Sequence, residues 1–219
     1  TIDMIGTDKL RGKTETTGED GRHYMKEYMA LSAGAVSILG SSNTADYAIR
    51  SQISGTNNVL KGQENNLSTF NTVSGYGNEG TNISRSTIVG TRNDLKNGED
   101  NVVIGDFHNF DGGKHNVVLG SMAAEERDVT KSFTNIFDGS TSTYTVKELV
   151  ATRRNTANVE NAVMLGYNTN VTRNGGVALG SESIASVDKG IAGYDPTTKA
   201  ASTDGSPTWK STAAAISVG

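Results

Sequence analysis

The feature that most constrains this chain is a five-residue segment ending in glycine, which recurs along its 219 residues. Aligned, the segments are Val36–Gly40, Asn58–Gly62, Asn71–Gly75, Ser86–Gly90, Asn101–Gly105, Asn116–Gly120, Ala162–Gly166 and Gly176–Gly180. Gly75, Gly90, Gly105 and Gly120 are 15 apart, Gly166 and Gly180 are 14 apart, and Gly62 and Gly75 are 13 apart. The interval from Gly120 to Gly166 is 46, about three periods. A fixed period of this kind is the mark of a repeat architecture, in which stacking buries what one unit cannot bury alone. Gly40, Gly75, Gly90, Gly105, Gly120, Gly166 and Gly180 are the predicted structural corners.

A second half-repeat follows each corner. A polar residue lies three positions on and an apolar one five positions on: Asn43 with Ala45, Asn65 with Leu67, Asn93 with Leu95, His108 with Phe110, Thr169 with Val171, Ser183 with Ala185. Each period therefore holds two short strand-like segments, rich in β-branched residues and separated by Gly and Asn, which tolerate the positive φ of a tight corner. This describes one coil of a parallel β-solenoid. Nine or so coils at a strand spacing of about 4.8 Å would make a stack of about 40 Å.

Composition agrees. Gly, Ser, Thr and Asn make up 93 of the residues, which excludes a helical bundle. A net charge of −4 and two prolines argue against simple disorder. Twenty basic and 24 acidic residues show no Lys/Arg cluster, so no nucleic-acid partner is expected. The absence of cysteine excludes a disulfide framework and a thiolate metal site. No run is long and apolar enough for a membrane span, and a chain opening on Thr1 reads as part of a longer one, with any membrane anchor outside it.

The segment before each corner carries a further inference. Val102, Val103 and Ile104 are consecutive and apolar, as are Val117, Val118, Leu119 and Val163, Met164, Leu165. Neighbours on a strand point to opposite faces. A strand that is apolar on both faces is covered on both, and a thin coil has one interior. The outer face is expected to meet another subunit. The alternative is a monomer with a helix or loop over that face.

The units Asn101–Gly105 and Asn116–Gly120, and the run from Gly176 to Ser186, resemble the head repeats of trimeric autotransporter adhesins. The terminal Ala215–Gly219 is similar to the start of the neck that joins such heads to a stalk. The likeness covers about residues 35–125 and 160–219. It implies an all-β fold, a left-handed parallel β-roll, as an intertwined homotrimer on the Gram-negative outer membrane, exposed at the cell surface. It also implies attachment to a host surface receptor, a carcinoembryonic-antigen-related cell adhesion molecule being one candidate, or to a matrix protein such as collagen or fibronectin. Departures include Lys61 and Ser74 at positions where an apolar residue is expected.

The expected organisation is an N-terminal cap over 1–34, coils over 35–125, an insertion over 126–160, further coils over 161–190 and a head–neck junction over 191–219. Tyr24–Leu31 offers a short apolar stretch suited to capping the open end of the stack. The insertion reads as a hairpin turning through Asp138-Gly139-Ser140, followed by a short helix over Val146–Ala151. Insertions in repeat proteins often carry binding. Phe133, Phe137 and Tyr144 are therefore candidate receptor contacts, with packing of Phe133 and Phe137 onto the coils as the simpler alternative. The half-repeat places Phe110 inward and Phe107 in a turn or outward, which makes Phe107 the fourth candidate. Trp209 is expected to pack at the junction.

No catalytic chemistry is evident. Gly75–Gly80 spells a G-x-G-x-x-G dinucleotide motif, but a half-coil follows it where a helix is required. His23, His108 and His115 lack ligand spacing and read as surface residues, so no metal is expected. The stretch Asp94–Asp100 lacks the alternating oxygens of a calcium loop. Asn66, Asn82 and Asn170 stand in glycosylation sequons and read as corner residues. No cofactor and no enzymatic activity are expected. The rivals are a structural fibre tip of phage or pilus type, which would share the trimer, and a hexapeptide-repeat acyltransferase, whose period of six does not match.

Overall fold

The computed structural model describes residues 36–135 and 138–219. Among these the fold is all-β, without helix, and most strands pair in parallel. The principal sheet has nine strands: β1 (Ser37–Ser41), β4 (Gln52–Thr56), β7 (Thr72–Tyr76), β9 (Thr87–Thr91), β11 (Val102–Ile104), β13 (Val117–Leu119), β16 (Val163–Leu165), β18 (Val177–Leu179) and β22 (Ile216–Val218). A second, five-stranded sheet holds β2 (Thr44–Asp46), β5 (Val59–Lys61), β8 (Glu79–Thr81), β10 (Asp94–Lys96) and β12 (Asn109–Asp111). Two short strands, β17 (Asn170–Val171) and β19 (Ile184–Ala185), pair in parallel after that sheet ends.

The period predicted from sequence is the register of the main sheet. Thr72 pairs with Thr87, Thr87 with Val102 and Val102 with Val117, a step of 15 each time. Successive turns of chain therefore lie directly over one another, an arrangement compatible with a β-solenoid. The interior is filled by the middle residue of each strand. Ile53, Val73, Ile88, Val103, Val118 and Met164 come from the first sheet, and Leu60, Leu95 and Phe110 from the second.

A third side closes each coil, which the two-strand reading omits. Strands β3 (Ala48–Ile49) and β6 (Ser68–Thr69) pair in parallel, and the column continues through single bridges from Thr69 to Ser84, Glu99 and Lys114. Ile83, Ala162 and Val159 fill the interior behind it.

Two expectations about the repeat are corrected. First, Gly62 is not a corner. Asn58–Lys61 leads into and forms β5 of the second sheet, and the true second corner is Gly55, paired with Gly40 and Gly75. Asn65 and Leu67 accordingly do not hold the half-repeat positions, which belong to Asn58 and Leu60. Gln52 pairs with Thr72, so this coil is 20 residues long and carries its extra residues as a small loop closed by Gln63 and Asn66. Second, the interval from Gly120 to Gly166 is one coil and not three, because Val117 pairs directly with Val163.

The stacked glycines meet backbone to backbone. A Cβ on Gly40, Gly55, Gly75, Gly90 or Gly105 would overlap the carbonyl oxygen of the next corner glycine, and each has a φ between +106° and +146°. Both facts require glycine. The series runs on through Gly120, Gly166 and Gly180 to Gly219, where Ile216–Val218 forms the ninth rung beside β18.

Between corner and second sheet runs a buried amide ladder. Asn58 N–H donates to Asn43 Oδ1 at 3.0 Å, Asn78 N–H to Asn58 Oδ1 at 3.1 Å and Asn93 N–H to Asn78 Oδ1 at 3.1 Å. Each Nδ2 also donates to a corner carbonyl of the next coil: Asn43 to Gly55 at 2.8 Å, Asn78 to Gly90 and Asn93 to Gly105 at 2.7 Å. A second ladder precedes the main sheet, where Ser86, Asn101, Asn116 and Ala162 each donate their N–H to the side chain one coil before. A coil that turns this tightly leaves backbone donors without strand partners, and the amides satisfy them.

The insertion is a long antiparallel hairpin of β14 (Ala124–Thr134) and β15 (Thr141–Ala151). Its turn runs through Asp138–Ser140 as expected, and Asp138 accepts both the N–H and hydroxyl of Ser140. Val146–Ala151 is strand and not helix. Its pairing with Ala124–Val129 overrides the local helical pattern. A small antiparallel pair, β20 (Tyr194–Asp195) and β21 (Ala200–Ala201), occupies the last interruption. Trp209 there is half-buried, and its carbonyl accepts the Gly193 N–H at 2.6 Å. The proposed cap, Tyr24–Leu31 included, lies outside the described residues.

Candidate functional site

Two surfaces stand out. The first is the outward side of the nine-stranded sheet. Apart from the exposed Leu39 on the first rung, its N-terminal rungs present Gln52, Ser54, Thr72 and Ser74, with Ser54 Oγ donating to Ser74 Oγ at 2.9 Å. From β9 onward it turns apolar, through Val89, Val102, Ile104, Val117, Leu119, Val163, Leu165, Val177, Leu179, Ile216 and Val218. Ile104 is 42% exposed, Leu119 40% and Val218 76%, while the alternate residues Val103, Val118 and Ala178 are fully buried. The strands are apolar on both faces, as the sequence implies, and the outer face stands open.

The second surface is the hairpin. At its base Arg92 anchors it, with a guanidinium N–H donating to the Leu149 carbonyl at 2.9 Å and an ion pair to Glu148 at 3.6 Å. Phe107 lies beside this anchor. With Arg92, His108, Asn109 and Leu149–Ala151 it lines a cleft of about 180 Å³. Phe107 sits at a corner with φ +63° and is half-buried, while Phe110 is buried, as predicted.

Phe133 is 60% exposed and Tyr144 50% exposed, near the far end of the hairpin. Lys131 pairs with Tyr144 and Phe133 with Ser142, so the two aromatics share one face of the ribbon as diagonal neighbours. Val129 and Val146 pair on that same face. The opposite face carries Thr130, Ser132 and Thr134 across from Thr145, Thr143 and Thr141. The structure thus brings Phe133 and Tyr144 together and leaves Phe107 at the base. Phe137 lies outside the described residues.

Most of the ribbon's charges are paired within it or at its anchor. Lys131 pairs with Glu148, Arg127 with Glu125 and Lys147 with Glu126. The Lys131 ammonium, and then Arg92, hold the Glu148 carboxyl below its ordinary range. Beyond these pairs the ribbon presents aromatic and hydroxyl surface and the exposed Asp128 carboxylate.

Histidine 108 departs from its reading as a surface residue. It is 1% exposed and takes the asparagine position in the buried ladder. Its only sequence signal is its place three residues after Gly105. Among the described residues no group of three or more acidic or histidine side chains is placed to hold a metal.

No family model matches this chain, and no curated protein or solved structure matches it.

Proposed function

We propose that this chain is the head of a trimeric surface adhesin: a left-handed β-roll whose three copies join through the apolar face of the nine-stranded sheet. The observation that carries the reading is that face. Six consecutive rungs, from Val89 to Val218, place apolar side chains on the outside, and in the first five the inside is already filled by Ile88, Val103, Val118, Met164 and Ala178. Apolar surface of this extent on a soluble chain marks association, and a face repeated along an axis suits a cyclic assembly. The head repeats and the neck-like ending favour three copies on a bacterial outer surface.

In this reading the hairpins project as three identical arms. Weak contacts at Phe133, Tyr144 and Phe107 with a host receptor or matrix protein add up through avidity when the geometry allows simultaneous engagement. Aromatic residues are the side chains most used at such contacts. The mechanism is binding, with no bond made or broken.

The test is adhesion of the assembled head to immobilised collagen, fibronectin and carcinoembryonic-antigen-related receptor ectodomains, alongside a Phe133→Ala/Tyr144→Ala variant. The reading expects saturable binding to one of these ligands that the variant loses at unchanged assembly mass. Absence of binding to host cells or matrix would overturn it.

A further inference from the structure

The corner between the second and third sides of the coils is the vertex opposite the nine-stranded sheet. In three successive coils this vertex carries a ladder of side-chain bonds on its outside. Asn82 Nδ2 donates to Asn97 Oδ1, and Asn97 Nδ2 to Asp111 Oδ1 at 2.9 Å. Toward the C-terminal end it opens into a cleft of about 530 Å³. Three segments wall it: Thr156–Val159, Thr172–Asn174 and Asp188–Lys189.

The charges of this cleft differ from those elsewhere on the coils. On the same flank Lys114 pairs with Glu99 at 2.9 Å, and Arg85 pairs with Glu99 and with Asp100. In the cleft Arg173 touches only the Thr172 carbonyl, at 3.2 Å, and forms no ion pair among the described residues; nor does Lys189. Asp188 supplies a carboxylate in the same cleft, one oxygen of which accepts the Lys189 backbone N–H at 2.8 Å. Amides and hydroxyls line the rest. Thr156 Oγ1 accepts from Asn170 Nδ2 at 3.0 Å, and Asn174 Oδ1 accepts the Glu160 N–H at 3.1 Å, which fixes the wall.

We infer that this cleft binds a saccharide bearing a single carboxylate. Arg173 and Lys189 supply uncommitted charge-assisted donors to the carboxylate, and a guanidinium matches its two oxygens. Asp188 and the Asn and Thr groups accept and donate to sugar hydroxyls. The same Asp188 repels a polyanion, which disfavours phosphate chains and nucleic acid. The absence of an apolar pocket in the lining disfavours a hydrophobic ligand. The site lies across the coil from the apolar sheet, so it stays open if that sheet is buried between subunits, and it needs no contribution from the hairpin.

The experiment is saturation-transfer NMR on the protein as it assembles, with 3′-sialyllactose, lactose and a sulfated heparin disaccharide as probes. Sialyllactose should show transfer and lactose none, with the sulfated disaccharide weaker than sialyllactose. Arg173→Ala/Lys189→Ala should weaken sialyllactose binding at least about tenfold through loss of two charge-assisted contacts, with an unchanged circular dichroism spectrum. Arg173→Lys should retain part of it. Equal binding of lactose, preference for the polyanion, no binding at all, or full binding by the double variant would each overturn the inference. None of these outcomes depends on the hairpin or the subunit mass, so failure here is separable from failure of the adhesin reading.

Discussion

The His108 ring donates from Nε2 to the Gly120 carbonyl at 2.6 Å, the bond that Asn93 Nδ2 makes to Gly105 one coil earlier. A carbonyl only accepts, so Nε2 carries a proton, while Nδ1 lies 3.3 Å from the Asn155 Oδ1. His108 also leaves the ladder unbroken: its backbone N–H donates to Asn93 Oδ1 at 3.0 Å, as those of Asn58, Asn78 and Asn93 do one coil back. The imidazole is an amide substitute, longer by a ring, and Phe110 stacks on it with centroids 6.0 Å apart.

That substitution makes one rung pH-sensitive. Burial pushes the His108 pKa below its ordinary value, while the bonds to Gly120 and Asn155 and the Asp106 charge oppose the shift only in part. The unfolded chain binds the proton first, so His108 contributes stability above about pH 6.5 that is lost as pH falls from there through the folded value. Thermal melts of wild type between pH 7.5 and pH 5 should show this loss. His108→Asn should restore a uniform ladder and flatten the curve. An equal acid slope in both proteins would contradict the assignment.

Removing the rung altogether is a different matter. His108→Ala leaves the half-buried Gly120 carbonyl without its side-chain donor, at a cost of about 1–3 kcal/mol. Urea denaturation at pH 7.5 measures it.

The stacked glycines give the sharpest contrast. Gly105→Ala would drive a methyl into the Gly120 carbonyl at φ +146° and should abolish cooperative folding of the neighbouring coils. Gly139 also has a positive φ, +70°, but nothing lies within 4 Å of its would-be Cβ. Gly139→Ala should cost only about 1–2 kcal/mol, the left-handed penalty. Both are read from denaturation midpoints.

The ion ladder of Arg85, Glu99, Asp100 and Lys114 should contribute little. Lys114 first and Arg85 second hold Glu99 below the usual carboxylate range, yet all four groups face water, where such pairs are screened. Glu99→Gln should leave the melting midpoint within error, and 0.5 M salt should not separate the two proteins.

The period, the corners and the double-sided strands were legible because stacking demands the same residue at the same place in every coil. Gly40, Gly90 and Phe110 behave as their spacing implies. The slip at Gly62 has a physical origin. An asparagine precedes a strand on both ladders, so Asn58-Val59-Leu60-Lys61-Gly62 in the second sheet spells the same pattern as Asn101–Gly105 in the first. Local letters do not say which side of a coil they serve, and only the register of Gln52 with Thr72 does. The hairpin's second strand was misread for another reason. Val146, Leu149 and Val150 lie at helical spacing, and the pairing partner that decides the matter sits at Ala124–Val129. The third side escaped notice because single bridges at Ser84, Glu99 and Lys114 leave no apolar period. Phe133 and Tyr144 were legible as surplus aromatics, but their shared face required the ribbon's register.

The solution mass by light scattering bears on whether the apolar sheet face is a subunit interface. It should come to about three times the 23.0 kDa of one chain, falling toward one chain in Val117→Asp without loss of the β-sheet circular dichroism signal. A folded wild-type monomer, with Val117, Leu119 and Val218 exposed to water at working concentration, would contradict it.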